Sequence, residues 1–179
     1  MRTIFLGSTV TLLLCMGCAM PHHITTGQLT SGYKMPADTK IVILNIADGQ
    51  ENKRSTIGSG QAMVTALRHQ LMSHGIAVMT SRSQDLADGF TEAERLGFTH
   101  VAKGMFTRWE DNATAWSGNP DRAAFSIEIY EAKSKLLIAS SEHQVQASGL
   151  AVTSNSPTRF IRELAERTLG RIFGWEVKK

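Results

Sequence analysis

The stretch that most narrows the folds open to this chain is Ile41-Val42-Ile43-Leu44. In an extended strand successive side chains point to opposite faces, so four apolar residues in a row predict a strand, over residues 40–46, that is covered on both sides. Strands of that kind belong to sheets flanked by helices, and the next segments carry the pattern of such a fold. After the polar loop Asp48-Gly49-Gln50-Glu51-Asn52, residues 61–74 place Met63, Val64, Ala66, Leu67 and Leu71 on one face of a helix that Gly75 ends. Residues 76–80 predict a short second strand, and residues 81–89 a loop or a turn of helix. Thr91-Glu92-Ala93-Glu94 reads as the start of a short helix, with Thr91 as cap and Glu94 three residues on, closing at Gly97. A third strand runs over residues 98–109. The Gly58-Ser59-Gly60 ahead of the first helix has neither the third glycine of a dinucleotide fingerprint nor the Gly-Lys-Ser/Thr of a triphosphate loop, so it predicts a plain helix start with Ser59 as its cap.

The second half of the chain alternates with period two. Phe125, Ile127 and Ile129 share one strand face and Ser126, Glu128 and Tyr130 the other, the pattern of a sheet wetted on one side. Residues 123–132 and 136–147 form a hairpin around Lys133-Ser134-Lys135, with Leu136 and Ile138 on one face and Leu137 and Ala139 on the other. Ser156-Pro157 is a cap followed by a first-turn proline. It opens a closing helix whose stripe is Phe160, Ile161, Leu164, Leu169, Ile172 and Phe173. The order βαβαβββα predicts an α/β fold: a single-domain sandwich over residues 40–179, with helices packed on a mixed sheet of about five strands.

The amino terminus constrains location. Arg2 precedes an apolar run over residues 4–14, too short for a permanent span, which needs about 20 apolar residues. The layout is that of a signal peptide. Met16-Gly17-Cys18-Ala19 closes it and resembles the bacterial lipoprotein signal, in which the cysteine is lipidated and becomes the first mature residue. Cys15 and Met16 depart from the usual residues of that signal, and the plainer alternative is a secreted protein cut near Ala19 or Met20. On the lipoprotein reading, residues 1–17 are the signal peptide, Cys18 carries lipid, and Ala19 rather than Asp after it implies transfer to the outer membrane, facing the periplasm. Cys15 and Cys18 then give no redox or metal site, and the mature chain has no second cysteine for a disulfide within the monomer. Residues 18–39, rich in Thr, Ser, Gly and His, read as a flexible tether. His22 and His23 in it read as solvated rather than as metal ligands. No motif implies a metal or a cofactor.

The residues with most chemical character lie at the loop joining the third and fourth predicted strands: Trp109, Glu110, Asp111, Trp116, Asp121 and Arg122. Indoles and guanidinium groups make good partner anchors because they combine large apolar area with directed donors. A structural reading stands beside this one: Trp109 on the core side of its strand, Asp121 and Arg122 pairing locally, Glu110 and Asp111 accepting bonds from loop amides. Glu110, Asp111 and Asp121 also offer the acid and base of a cell-wall or glycan hydrolase, which must sit about 5 to 10 Å apart. With a net charge of +3 spread along the chain and no basic run, nothing points to nucleic acid. His100 reads as a paired or half-buried strand residue rather than a catalytic one, and His143 has no partner nearby in sequence.

The segment Arg108-Trp109-Glu110-Asp111-Asn112 through Asn119-Pro120-Asp121-Arg122, followed by Ile129-Tyr130-Glu131-Ala132 and Leu137-Ile138-Ala139-Ser140, resembles an uncharacterised family of bacterial lipoproteins known only as a domain of unknown function. The resemblance spans residues 33–173 and brings no activity, cofactor or catalytic residue. The order of elements is similar to periplasmic domains at the amino end of the Tol propeller protein, in peptidoglycan-synthase activators and in the curli secretion lipoprotein. Together these imply an envelope lipoprotein that binds or assembles rather than catalyses, with an envelope protein or cell-wall partner and a homo-oligomer both open.

Overall fold

Both faces of the run from Ile41 to Leu44 are covered in the computed structural model, which describes residues 22–30, 34–112, 119–147 and 156–176. In chain order the elements are β1 (His22–Leu29), β2 (Lys40–Ile43), the ribbon strands β3 (Gln50–Glu51) and β4 (Arg54–Ser55), α1 (Ser59–Ser73), β5 (Ala77–Thr80), α2 (Leu86–Leu96), β6 (His100–Glu110), β7 (Arg122–Glu131), β8 (Leu137–Gln146) and, after a 3-10 turn at Pro157–Phe160, α3 (Ile161–Phe173). They build a mixed sheet in the order β1-β8-β7-β6-β2-β5. Around β2 the pairing is parallel, to β5 and β6. From β6 through β7 and β8 to β1 it is antiparallel.

Ile41 and Ile43 pack into the main core with Met63, Leu67 and Leu71 of α1 and Leu164 and Leu169 of α3. Val42 and Leu44 point the other way, into a smaller core with Phe90 and Ala93 of α2. Each such side chain, fully withdrawn from water, contributes about 1.5–3 kcal/mol. Because α2 reaches only the parallel end, the outer face of the antiparallel strands stays open. There Ser126 and Glu128 are half-exposed, while Phe125, Ile127 and Ile129 on the opposite face are buried, as the alternation predicts.

Three features differ from the sequence reading. The sheet has six strands rather than about five, because His22–Leu29, expected within the tether of residues 18–39, pairs antiparallel with β8 along its length. Second, α2 begins earlier than Thr91. Asp85 is its cap, accepting from the amides of Ala87 at 2.7 Å and Asp88 at 3.4 Å, while the Thr91 hydroxyl donates back to the Ala87 carbonyl at 2.9 Å. Third, Ser59 is not the cap of α1. Its hydroxyl donates to the Thr56 carbonyl at 2.7 Å, and the Asp48 carboxylate takes the free amides of Gly58 at 3.2 Å and Gly60 at 2.8 Å. A carboxylate from the chain itself thus fills the place that a phosphate takes at a nucleotide-binding helix.

Candidate functional site

Trp109 is set by a backbone irregularity. Phe106 faces Phe125 across the β6–β7 pair, but the register shifts between Phe106 and Arg108, so Trp109 comes opposite Ala123. One extra residue in β6 turns an odd separation into a shared face, and both aromatic rings point into the core. The Trp109 indole is 4% exposed. It meets Phe106 edge-on at 4.7 Å and donates Nε1–H to Thr56 Oγ1 at 2.9 Å. It also lies against Gly49, where a Cβ would come within 2.3 Å of the ring.

Around this anchor the loop base is held by polar pairs. Glu110 accepts from Arg122 Nη1 at 3.2 Å and faces Arg108 Nε at 3.2 Å, and Arg122 Nε also donates to Gln146 at 3.1 Å. The Asp111 amide donates to Glu51 Oε2 at 3.0 Å. Asp121, 8% exposed, accepts from the Asn112 amide at 3.0 Å and from Arg159 Nη2 at 3.2 Å. Burial pushes the Asp121 carboxyl above its ordinary range, with the Asp111 charge adding to the rise and the Asn112 amide and Arg159 opposing it. Asn112 Nδ2 closes the base by donating to the Pro120 carbonyl at 2.8 Å. Trp116 and Cys18 lie outside the described residues.

Beside Trp109, past the carboxyl end of β2, is a cleft of about 470 Å³ lined by Asn45, Asp48, Gln84, Lys103, Met105 and Arg108, among others. Open α/β sheets place ligand sites at that end of their strands. Glu110, Asp111 and Asp121 do not line it. Glu110 is held by Arg108 and Arg122 and Asp121 by Arg159 and the Asn112 amide, so among the described residues these carboxylates serve the loop base rather than this cleft.

A second constellation escapes the sequence because its members are far apart in it. His143 of β8 is 0% exposed, and its Nδ1 is 2.6 Å from Thr25 Oγ1, the residue directly opposite on β1. The histidine without a partner nearby in sequence therefore has one across the sheet. His23, diagonal to it on β1, stacks on the ring with centroids 5.9 Å apart and planes 9° apart. Glu163 of α3 reaches both, with Oε1 2.8 Å from His23 Nδ1 and 3.5 Å from His143 Nε2. The facing His143 ring holds the Glu163 carboxyl below the usual range. Burial pushes it up, while the charges of His23, His143 and Arg167 add to the depression. His23 and Thr25, two apart on β1, share the face turned toward His143.

Among solved structures, the chain superposes on PelC from Paraburkholderia phytofirmans, a dodecamer, with a TM-score of 0.63 and 16% identity, covering 86% of this chain and 100% of that one. A second PelC dodecamer structure gives a TM-score of 0.60 at 15% identity, covering 79% of this chain and 93% of the other. A lipoprotein from Neisseria meningitidis matches with a TM-score of 0.48 at 9% identity, over 76% of this chain and 99% of that one. No curated protein matches. The likeness to PelC shows the fold, and the family is shown by sequence: residues 33–166 match its profile, and the chain belongs to the family described as Domain of unknown function (DUF4823).

Proposed function

We propose that this protein is a lipid-anchored, periplasm-facing component of the Gram-negative envelope that acts without catalysis, by assembling with copies of itself into a ring. The observation that carries this reading is the superposition of most of the chain on the whole of PelC, a protein solved as a dodecamer. The sheet supplies a physical route. Its two edges are unlike strands, β1 on one side and β5 on the other, so contact between copies through them joins different surfaces. Such heterologous contacts close into rings when the rotation permits. β1 carries no Lys, Arg, Asp or Glu to guard its open edge, and Ile24 and Leu29 on it are 46% and 47% exposed. In this reading Cys18, just ahead of β1, bears the lipid, and the outer membrane is the destination. The loop of residues 109–122, which also carries Trp116, is the contact for an envelope partner. Its base is held rigid by Trp109, Glu110, Asp121 and Arg122.

Native mass spectrometry of the full chain, extracted in detergent from a Gram-negative host, tests both parts at once. The expected species is a multimer whose subunit mass includes acyl chains, lost in Cys18→Ser. A charged substitution on the β1 edge, Ile24→Glu, is expected to shift the multimer toward monomer without unfolding it. An unacylated monomer at every concentration would overturn the proposal.

A further inference from the structure

His23, His143 and Glu163 present ligand atoms that all lie within 4.8 Å of one another. We propose that they form a binding site for a divalent cation of the zinc class, which fastens the edge strand β1 to β8 and α3.

Three observations carry this. The first is the state of His143. Its Nδ1 lies 2.6 Å from Thr25 Oγ1, and with Nδ1–H donating to that oxygen the ring is fixed and Nε2 is the ligand nitrogen, as in metal-bound imidazoles. That Nε2 is wholly buried and makes no hydrogen bond, and the buried Glu163 Oε1 facing it has only the close contact with His23 Nδ1 at 2.8 Å. In the tautomer whose Nδ1–H donates to Thr25, Nε2 and Glu163 Oε1 are two acceptors 3.5 Å apart, a pair that a cation between them relieves. The second is the ligand set. Two imidazoles and a carboxylate suit zinc and its neighbours, with bonds of about 2.0–2.2 Å and therefore ligand-to-ligand edges of about 3.3–3.6 Å in a tetrahedron. The His143–Glu163 separation of 3.5 Å already matches such an edge, and the His23–Glu163 separation of 2.8 Å must open by a few tenths of an ångström. The third is access. Side chains of His23 and Glu163 are each 31% exposed, so a cation enters from the solvent side and keeps room for water as a further ligand.

Arg167 also acts on Glu163. It favours the ionised carboxylate that a cation needs, but its own charge opposes a second cation nearby and so weakens binding. His23 Nδ1 lies 2.8 Å from Glu163 Oε1, and a cation there needs both rings neutral and the carboxylate ionised, so protons compete with it and binding becomes tighter as pH rises from the acidic range.

The test is titration calorimetry of the full chain in detergent with zinc chloride, in two buffers of different ionisation enthalpy, alongside cobalt(II) absorption spectra. The expected result is one zinc per chain, proton release, a cobalt spectrum of tetrahedral intensity and a higher melting temperature with zinc. His23→Gln and Glu163→Gln, at half-exposed positions, are expected to fold in chelator as the parent does and to lose zinc affinity at least tenfold. His143→Ala is a supporting variant only, because its burial ties it to folding as well as to the metal. Folded parent protein that takes up no zinc overturns the proposal, as does zinc binding unchanged in both exposed variants.

Discussion

Replacing Trp109 with alanine separates a structural role for this residue from a recognition role. The indole is 4% exposed, and a buried tryptophan withdraws about 200 Å² from water. At about 25 cal/mol per Å² that is about 5 kcal/mol, and a partly collapsed unfolded chain trims it to roughly 3–4 kcal/mol. The loss is not offset by relaxation, because Gly49 has no side chain to move into the space and Phe106 loses its edge contact. Trp109→Phe keeps part of the ring contact, and loses the donor to Thr56, about 0.5–1.5 kcal/mol, together with a smaller packing loss from its smaller ring. Urea unfolding of the purified protein, followed by circular dichroism, measures both. The expected order is a large loss for alanine and a small one for phenylalanine, against a total stability of about 5–15 kcal/mol for a domain. A loss below about 1 kcal/mol for Trp109→Ala would refute the reasoning, because the indole would then contribute little to the core and would be free to serve a partner.

Asp48→Ala removes the acceptor for the Gly58 and Gly60 amides and is expected to cost about 1–2 kcal/mol in the same assay, whereas Asp48→Asn retains much of the cap. No change in Asp48→Ala would show that water caps α1 as well as the carboxylate does. His100 gives a pH dependence. Burial pushes its pKa below 6.5, with Glu131 and Asp38 opposing, so the folded state binds the proton less readily than the unfolded chain. Its contribution is fully present above 6.5 and is lost as pH falls from 6.5 through the depressed value. Urea midpoints measured between neutral and mildly acidic pH are expected to fall more steeply in the parent than in His100→Gln, and parallel slopes contradict the assignment.

How much of this was legible depends on range. The run from Ile41 to Leu44 announces burial on two faces because its pattern is local, and the alternation from Phe125 to Tyr130 gives the wetted face for the same reason. The β1 strand was hidden. Its sequence, HHITTGQL, has few apolar residues because it is an edge strand whose inward positions meet polar groups of β8 and α3. The α2 start is hard to place because a threonine followed three residues later by glutamate also fits a helix interior, where Thr91 bonds back to Ala87. The residues of the loop base were visible by type, but their orientation was not. The shift at Phe106 and Arg108 reverses the face on which simple parity would put Trp109, and no residue in the sequence marks it. The histidine cluster depends on pairing between chain ends, which a single sequence does not reveal.

That pairing sets the order in which the molecule completes itself. The contact of Thr25 with His143 spans 118 residues, and closing a loop of that length costs about 4 kcal/mol of chain entropy before any contact is gained. Local elements such as α1 and the β7–β8 hairpin carry no such cost, so β1 docks late. Until it does, β8 presents an unpaired edge to every neighbouring chain. The interval before β1 arrives is therefore the stage at which newly made molecules are most open to strand exchange with one another.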